Sequence, residues 1–555
     1  MGSTSLDAQT RPEADPRPTR DLALGLIALA IALAPALAAI AAVPEFVTQD
    51  GPAHAYSARI LNASLGPDSP FAATFAVAWQ PLPNWAGHLL TMAAVAVLPP
   101  APAGRAIAAA TLVGFAAAVV WLRWAVAGGR GLWVASLLAV LLGLNVTWLL
   151  GFTSFLLGAM LVPVTLAAWW GGRERFGPAR ALGLAALLVL GYFCHPIGLG
   201  LAVGGLAVLA ALTPGPDRAR RALWTAISVV PLVPLGLAYR AMTRSGGGLE
   251  PTWDQLSRPW TIRAWVGQLG WVDPISLAAK VYRPFGAGAS GLNGLISPAA
   301  WTVAAVAILA VATRRKAGDR PGWAVLGGLL LVAAVLGPDT LGVKHGHYLP
   351  QRVALLGLVA LVPWLDLAPD RWTSKAAAGM LAFALVVQSA FVWDYAFTCR
   401  DRVGALLRAA PAIGPGTKVG SLLIGIKGRF RSNPLLHADC LFGAGSDAVV
   451  WSNYETAHYY FPVKVRRPAP GREIAPDLGP PIATDFEAVA IRDAPAESEA
   501  RARLWSDLLG SHGRAIDVVL EWGEDPKLDA INARRYRTTF RDGPVRVWTR
   551  VDPRH

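Results

Sequence analysis

The first 400 residues consist of long apolar runs rich in Ala, Leu, Val and Gly, which short polar loops separate. A run of roughly 20 mostly apolar residues can cross a lipid bilayer as a helix. The pattern therefore predicts a polytopic α-helical membrane protein with about 11 spans. The predicted spans are 22–43, 105–122, 132–149, 152–170, 180–195, 197–212, 222–241, 297–313, 321–337, 352–368 and 376–393.

Arginine and lysine are concentrated in alternate loops between these runs. Cytoplasmic loops of membrane proteins carry an excess of Lys and Arg. The N-terminus is therefore predicted to be cytoplasmic, in a bacterial inner membrane, with the chain after the last span on the extracytoplasmic side. The cationic residues on the predicted inner side are Arg11, Arg17, Arg20, Arg123, Arg130, Arg173, Arg175, Arg180, Arg218, Arg220, Arg221, Arg314, Arg315, Lys316, Arg320, Arg371 and Lys375.

This pattern divides the chain into three regions. Residues 1–20 are polar and are predicted to form a disordered cytoplasmic leader, followed by a transmembrane module over 21–393. The module contains two long outer segments, 44–104 and 242–296. Residues 394–555 carry 23 Lys/Arg against 20 Asp/Glu and have the composition of a soluble domain.

Two outer stretches have an ambiguous relation to the membrane. Residues 83–99 are apolar enough to span, but counting them as a span would place the arginines of the following loops outside. A juxtamembrane or re-entrant helix is therefore preferred, and an extra span is the alternative. The Trp-rich residues 253–270 could form a helix on the membrane surface.

The region after residue 394 alternates between strand-like and helix-like patterns, which predicts a C-terminal extracytoplasmic α/β domain. Cys399 and Cys440 would share an oxidising compartment, where both a disulfide and two free thiols are compatible with the sequence. The predicted strands are 418–426, 486–492, 516–522 and 544–550, and the predicted helices are 497–510 and 526–535.

Several function classes are disfavoured by the sequence. The net charge of +14 comes mostly from loops beside the spans, so it indicates membrane topology and no nucleic-acid partner is expected. A Walker A loop and the HExxH and CxxC metal motifs are missing from the sequence. Asp and Glu are nearly absent from the predicted spans, which argues against an ion-coupled pump.

The first outer segment contains a candidate acid–base pair just beyond the first span. Asp50 precedes Gly51-Pro52, where a helix is predicted to begin, and His54 falls on its first turn. An Asp before Gly-Pro can cap such a helix. Alternatively, a carboxylate and an imidazole about four residues apart can face one cavity as an acid/base or metal-assisted pair.

The order of these features resembles the GT-C superfamily of membrane glycosyltransferases. An acidic residue beyond the first span, a His/Tyr-bearing helix, a long first outer loop and an extracytoplasmic C-terminal domain all recur in that superfamily. The resemblance implies a sugar donor linked to polyprenyl phosphate, and it gives Asp50 the role of general base or metal ligand, with His54 assisting. Several members have paired acidic residues, whereas Gly51 follows Asp50 here. Mg²⁺ or Mn²⁺ is therefore a possible cofactor that the resemblance leaves open.

Transfer from such a donor also needs positive groups against the leaving phosphate. The short outer loop before residue 352 holds the candidates Lys344, His347, Tyr348 and Arg352, and a guanidinium can bind a phosphate through two hydrogen bonds. The alternative is that Lys344 and Arg352 are interfacial anchors whose charged ends reach towards water.

Three further residues, Glu45, Arg59 and His195, are predicted to line the cavity. A polar residue such as His195 at membrane depth costs roughly 2–3 kcal/mol unless it is satisfied, and the alternative is a hydrogen-bonded hairpin residue. A polar-aromatic cluster in the tail could stack against a glycan or acceptor, or could belong to an ordinary folded loop. Its members are Asn453, Tyr454, His458, Tyr459 and Tyr460.

The sequence therefore predicts an integral membrane glycosyltransferase. Its predicted donor is a sugar linked to polyprenyl phosphate, and its predicted acceptor is an envelope glycan, lipid or protein. Membrane lipid is predicted to surround it. Two alternatives remain open: a transporter or flippase of a lipid-linked glycan, and a non-enzymatic scaffold for envelope assembly. Inverted repeats would favour the transporter. The absence of a polar cavity between the outer segments and the helical bundle would favour the scaffold.

Overall fold

The computed structural model describes most of the chain. The described residues are 17–245, 251, 298–314, 320–338, 340–342, 346–367, 372–426, 432–466, 480–490 and 495–551. The predicted surface helix at 253–270 and the candidate Lys344 lie outside these residues.

The N-terminal two thirds of the described chain are mainly helical, as the apolar runs predict. The helices are α1 (Arg17–Ala42), α2 (Gly51–Ala63), α3 (Trp85–Val97), α4 (Pro100–Ala127), α5 (Leu132–Gly143), α6 (Val146–Leu150), α7 (Thr153–Gly172), α8 (Pro178–Cys194), α9 (Pro196–Leu212), α10 (Arg218–Val229), α11 (Leu232–Ser245), α12 (Pro298–Arg314), α13 (Pro321–Leu336), α14 (Leu349–Leu361) and α15 (Trp372–Leu407).

Four of the described helices, α1, α4, α7 and α15, are long and apolar enough to cross a membrane. Helices α10 and α11 meet at a bend of 42° and would together make a fifth. The other apolar helices have 10–17 residues. The chain is thus a membrane-embedded protein, and every predicted span overlaps a helix or a broken pair of helices, although α14 ends at Leu361, before the end of the predicted span 352–368. The count of about 11 spans stays a prediction.

The breaks within predicted spans have local causes. The predicted span 132–149 is divided between α5 and α6, because the Asn145 side chain accepts hydrogen bonds from the backbone N–H groups of Thr147 (2.9 Å) and Trp148 (3.2 Å). Such a cap starts a new helix. Helix α3 occupies the ambiguous stretch 83–99, and its 13 residues are about 20 Å long, which is short of a 30 Å hydrocarbon layer.

The C-terminal region folds around a mixed five-stranded sheet in the order β3-β2-β5-β7-β6. Strand β2 is parallel to β3 and β5, while β5, β7 and β6 are antiparallel neighbours. The sheet and its helices form the predicted α/β domain. Its elements are β2 (Lys418–Leu423), α16 (Cys440–Ser446), β3 (Val449–Val450), α17 (Ala483–Ala490), α18 (Ser498–His512), β5 (Val518–Trp522), α19 (Pro526–Asn532), β6 (Tyr536–Asp542) and β7 (Val545–Arg550).

One predicted strand, 486–492, is wrong, since residues up to Ala490 belong to helix α17. The buried residues Ala483, Phe486 and Val489 are spaced by three, which places them on one face of a helix. The Asp485 carboxylate also accepts the Ile482 N–H at 3.0 Å, as in a capping box. The predicted strands 418–426, 516–522 and 544–550 contain β2, β5 and β7, whereas β3 and β6 were not predicted.

The first outer segment and the C-terminal domain are joined directly. Strand β1 (Phe75–Val77) pairs antiparallel with β4 (Val463–Val465). Helix α2 packs on α16, where Gly443 is required because a Cβ there would lie 2.4 Å from the Tyr56 ring. The three cysteines, Cys194, Cys399 and Cys440, are buried and free, so the disulfide alternative is wrong.

Candidate active site

A cavity of about 500 Å³ lies between the ends of the apolar helices and the C-terminal domain. The absence of a polar cavity at this junction would have favoured the scaffold alternative. Its lining residues include Asp50, His54, Pro83, Asn84, Phe152, Thr153, Ser154, Phe155, His195, Pro196, Ile197, Leu201, Tyr239, His347, Leu349, Arg352, Val353, Tyr454, His458, Tyr460 and Phe461.

Four helices begin at this cavity: α2, α7, α9 and α14. Helix N-termini expose unpaired N–H groups and carry partial positive charge. Prolines occupy the first turns of α2, α9 and α14, where the missing N–H costs nothing. The convergence of helix starts makes the cavity suited to a negatively charged group.

Asp50 occupies the N-cap position of α2, but its side chain makes no capping hydrogen bond. The carboxylate instead accepts hydrogen bonds from Gln49 Nε2 at 3.3 Å and from the Tyr454 hydroxyl at 3.2 Å. The backbone N–H of Asp50 donates to the Leu150 carbonyl oxygen at 3.0 Å, which holds the turn against α6. The capping alternative therefore fails for the side chain, which faces the cavity.

The protonation of Asp50 suits a general base. Burial raises the pKa of Asp50 to about 6, although His54 and the hydrogen bonds from Gln49 and Tyr454 act in the opposite direction. A carboxylate with this pKa is mostly ionised at neutral pH and is a stronger base than an exposed Asp. General bases work best when their pKa lies near the operating pH.

His54 is held between two acceptors, which decides its charge. Its Nδ1 forms a short ion pair with the Glu455 carboxylate, and its Nε2 lies 3.0 Å from the Gly151 carbonyl oxygen. Both acceptors require N–H groups, so the ring is an imidazolium. Burial lowers the pKa of His54, but the Glu455 carboxylate outweighs burial and leaves this pKa raised. His54 is therefore a fixed cation beside Asp50 and has no free nitrogen to act as a base.

Glu455 comes from the C-terminal domain and was not predicted. It lies in the turn Tyr454–Ala457, where the Asn453 side chain accepts its backbone N–H at 3.2 Å, and it is fully buried. Burial acts to raise the pKa of Glu455, but His88 and His54 outweigh it and leave the pKa lowered. Its signal in the sequence was the polar-aromatic cluster at 453–460, of which Tyr454, His458 and Tyr460 line the cavity.

Two further histidines near the site also escaped prediction. His437 Nε2 lies 3.7 Å from Asp50 Oδ1, and its ring packs 4.7 Å from the Tyr454 ring. Burial lowers the pKa of His437 to about 3, so this ring is neutral. His88 is 3% exposed, with its ring centroid 6.2 Å from that of His54. Each is an isolated His in an otherwise unremarkable stretch of sequence.

Arg352 lies in the first turn of α14 and is 7% exposed. Its guanidinium carbon lies 4.7 Å from the ring centroids of both Phe152 and Phe155. Cation–π contacts of this kind are stronger when water is excluded. Within the described residues its Nε has no hydrogen-bond partner, so the group retains donors for a ligand.

His195 lies beside Arg352, and its hydrogen bonds cannot all form at once. Its Nδ1 is 3.2 Å from the Ile197 N–H group, and its Nε2 is 3.1 Å from Arg352 Nη1. A neutral imidazole has one acceptor nitrogen. If Nδ1 accepts from Ile197 as the cap of α9, then Nε2–H and the guanidinium are two donors that need a shared acceptor. Both alternatives for His195 are thus combined, because it caps a helix and lines the cavity.

The remaining candidates are placed differently. His347 lines the cavity, whereas Tyr348 lies behind Phe152, with ring centroids 5.8 Å apart. Glu45 is outside the cavity and packs near Gly404 of α15, where an added Cβ would be 3.5 Å from Glu45 Cγ. Arg59 is also outside, because it binds Asp447 of the C-terminal domain through two hydrogen bonds of 2.9 and 3.0 Å.

The described surroundings of Asp50 provide few other protein ligands for a metal ion. In the part of the chain that the structure describes, no three His, Cys, Asp or Glu side chains are grouped as metal ligands. Both Asp50 oxygens receive hydrogen bonds, and Glu455 is engaged by His54.

No protein-family model and no curated protein matches the chain. Among solved structures, it is similar to the arabinofuranosyltransferase AftD from Mycobacteria over 98% of its length, with 14% identity and a TM-score of 0.46, and it spans 40% of that chain. It is similar to ArnT from Cupriavidus metallidurans over 96% of its length and 97% of that chain, with 13% identity and a TM-score of 0.43.

A third similarity is to the archaeal oligosaccharyltransferase AglB from Archaeoglobus fulgidus, solved with an inhibitory peptide and a dolichol-phosphate. It covers 97% of this chain and 75% of that one, with 11% identity and a TM-score of 0.47. At TM-scores below 0.5 these similarities say nothing of this chain's donor or acceptor.

Proposed function

We propose that this chain is a membrane glycosyltransferase that moves a sugar from a polyprenyl-phosphate carrier to an envelope acceptor on the extracytoplasmic face. The observation that carries the proposal is that a basic carboxylate, Asp50, and a buried guanidinium, Arg352, line one cavity. The first can deprotonate an acceptor, and the second can receive the charge of a leaving phosphate. A transferase of phosphate-linked sugars needs both groups.

The donor phosphate would lie at the Arg352 end of the cavity. Arg352 and the His195 Nε2–H would share its oxygens, which supplies the acceptor that these two donors lack. The N-termini of α9 and α14 add partial positive charge at the same place. His347 completes the polar edge, and the apolar side chains of Ile197, Leu349 and Val353 suit the first units of a prenyl chain.

The acceptor would lie at the Asp50 end. Asp50 takes the proton from the acceptor hydroxyl or amine while that atom forms a bond to the anomeric carbon of the sugar. The bond between the anomeric carbon and the phosphate oxygen breaks, and its electron pair stays on the released polyprenyl phosphate. Arg352 then faces the added negative charge, which is the electrostatic help that such a step requires.

The C-terminal domain would take part in this chemistry through Tyr454 and Glu455. The Tyr454 hydroxyl orients the Asp50 carboxylate, and Glu455 keeps His54 positively charged. A cation next to a carboxyl group favours the ionised form. His54 thus favours the form of Asp50 that accepts a proton, while the Glu455 carboxylate itself acts more weakly in the opposite direction on the pKa of Asp50.

The proposed orientation follows from the arginine distribution, with the N-terminus in the cytoplasm and the C-terminal domain outside a bacterial inner membrane. The donor cavity and the C-terminal domain then lie on the same, outer side. The acceptor is accordingly an envelope glycan, lipid or protein. A flippase needs no base in its substrate cavity, so the basicity of Asp50 favours a transferase.

The test uses purified full-length protein in detergent with a panel of polyprenyl-phosphate sugars and follows release of polyprenyl phosphate. Asp50→Asn should lower turnover by about 10²–10⁴-fold, the usual contribution of a general base. Asp447→Asn, which removes a carboxylate outside the cavity, is the matched control. Undiminished release by Asp50→Asn would refute the assignment of the base, and donor binding without release in every condition would favour a transporter.

A further inference from the structure

A second cavity, of about 740 Å³, lies at the opposite end of the helical bundle. Helix α7 begins at the first cavity and ends at the second, and its 20 residues span about 30 Å. That distance equals the hydrocarbon thickness of a bilayer. The arginine distribution places this end in the cytoplasm. The lining residues are Val126, Ala127, Trp170, Arg173, Glu174, Thr213, Pro214, Gly215, Pro216, Asp217, Arg221 and Arg320.

The innermost charged group of this cavity is Arg221, which is 3% exposed. It donates through Nη2 to the Thr213 carbonyl oxygen, and within the described residues its Nε has no partner. A carbonyl oxygen has only a partial negative charge. The Asp217 carboxylate also acts on Arg221, but Asp217 is exposed, so the buried guanidinium is only partly compensated. A buried charge of this kind is costly, and an anion in the cavity would complete its site.

The other charges of the cavity lie nearer to its rim. Arg173 stacks on the Trp170 ring at 4.2 Å and donates to the Trp170 carbonyl oxygen at 2.8 Å. Glu174 is 80% exposed and lies 3.3 Å from Arg173, and Asp217 is also exposed. Three guanidinium groups and two exposed carboxylates line the space, so the deep part is positive and the negative groups face solvent.

A further cation stands behind the wall of the cavity. Arg123 lies one turn before Val126 on α4, is 4% exposed and donates to the Arg130 carbonyl oxygen at 3.0 Å. Its Nε and Nη1 have no partners within the described range. The Asp366 carboxylate acts on Arg123 and offsets part of its charge, so Arg123 adds only partly to the field of Arg221 that favours an anion in this space.

We propose that this inner cavity binds the phosphate group of an anionic membrane lipid. Arg221 is the buried anchor, and Arg173 and Arg320 contact the headgroup nearer the surface. Guanidinium groups match phosphate oxygens through paired hydrogen bonds. Basic pockets between spans on the cytoplasmic side are typical binding places of acidic lipid headgroups. The cavity opens beside the apolar ends of α4 and α7, where acyl chains would continue.

The experiment measures the thermal unfolding midpoint of the purified full chain in a neutral detergent. Phosphatidylglycerol, phosphatidylcholine and inorganic phosphate are added separately at matched concentrations. Phosphatidylglycerol should raise the midpoint in a concentration-dependent way, because a ligand that binds the folded state stabilises it. Phosphatidylcholine and inorganic phosphate should have little effect.

Two neighbouring arginines provide a matched pair of variants. Arg221→Gln should weaken phosphatidylglycerol binding about tenfold or more, because a buried charge-assisted hydrogen bond is lost. Arg220→Gln removes the same charge from an exposed neighbour and should leave binding unchanged. Each unfolding midpoint is compared with that of the same variant without lipid. A general loss of stability in Arg221→Gln therefore does not change the measured effect of the lipid. Arg173→Gln, at the half-exposed rim, is a second variant that avoids the buried position.

Each alternative outcome overturns a part of the proposal. Equal stabilisation by inorganic phosphate would assign the cavity to a free phosphate compound and reject a lipid. Equal lipid binding by the Arg221→Gln and Arg220→Gln variants would reject the cavity as the site. Stabilisation by phosphatidylcholine to the same extent would show that acyl chains, and no anion, are recognised. None of these results depends on the proposed transferase activity.

Discussion

The two ends of the helical bundle both bury an arginine, but they surround it differently. At the outer cavity, helices α2, α7, α9 and α14 begin, and Arg352 lies against aromatic rings with Asp50 in the same space. At the inner cavity, α4, α7 and α9 end while α10 and α13 begin, and Arg221 lies in the first turn of α10 against a carbonyl oxygen. Helix ends carry opposite partial charges. The outer cavity thus gathers several helix N-termini, whereas the inner cavity combines the C-termini of three helices with the N-termini of two.

This difference leads to different expectations for the two arginines. Arg352 adds its charge to four helix N-termini, and the sum favours a strongly charged group such as a leaving phosphate. Arg221 is partly balanced by helix carbonyls, so its site should hold an anion more weakly. Replacing Arg352 should therefore weaken anion binding at the outer cavity more than replacing Arg221 weakens it at the inner cavity.

The largest expected effect beyond the loss of Asp50 concerns the outer arginine. Arg352→Gln should raise the KM for the donor about 10–100-fold, because a charge-assisted hydrogen bond is worth about 1.5–3 kcal/mol. Donor kinetics on the purified protein measure this change. Arg400→Gln is the matched control, since Arg400 stacks on Phe397 at 5.0 Å but is exposed. An unchanged KM would support the alternative that Arg352 is an interfacial anchor.

A smaller effect is expected from the carboxylate of the C-terminal domain. Since the pKa of Asp50 is about 6, turnover should fall as the pH decreases through that value and the base becomes protonated. Glu455→Gln removes the partner that keeps His54 charged. Loss of the His54 charge raises the pKa of Asp50 and outweighs the smaller, opposite effect of losing the Glu455 charge, so this pKa should rise. The acidic limb of the pH–rate profile should move to higher pH, with turnover at pH 6 lower by about tenfold.

The control for Glu455→Gln separates electrostatics from docking of the domain. Asp447→Asn breaks the ion pair with Arg59, a second contact between α2 and the C-terminal domain that lies outside the cavity. This variant should leave the midpoint of the acidic limb unchanged. If Glu455→Gln and Asp447→Asn both lower turnover without moving the midpoint of the acidic limb, Glu455 only helps to dock the C-terminal domain.

The smallest expected effect is that of metal removal. Because the described residues offer no cluster of metal ligands around Asp50, EDTA should leave polyprenyl-phosphate release unchanged, and Mn²⁺ should not increase it. The assay compares treated and untreated protein at one pH. A loss of release with EDTA that Mn²⁺ restores would give Asp50 the role of metal ligand.

The helices and part of the site could be predicted from sequence because their signals are local. Each apolar run of sufficient length overlaps a helix or a broken pair of helices. Asp50 stood out because it follows the first span, and Arg352 because it breaks the charge pattern of the outer loops. Both then line the same cavity.

The site residues that the sequence did not predict depend on contacts between distant segments. Glu455 meets His54 across 401 positions, and His437 reaches Asp50 from a segment without any pattern. Nothing in either segment alone specifies the partner. The wrong strand at 486–492 has another cause, since Phe486, Ala488 and Ala490 alternate with other residues while Phe486 and Val489 share a helix face. A short apolar run of that kind fits both periods.

The pairing of β1 with β4 also constrains how the protein is made. Phe75 aligns with Val465, so β1 waits for a partner that is synthesised 390 residues later. Under the proposed orientation, that partner must first be exported across the bilayer. Until then His54 lacks its carboxylate, and the nascent chain carries an unfinished site. Long-range pairing of this kind is slow, so newly inserted molecules should pass through an inactive period before they can consume any donor.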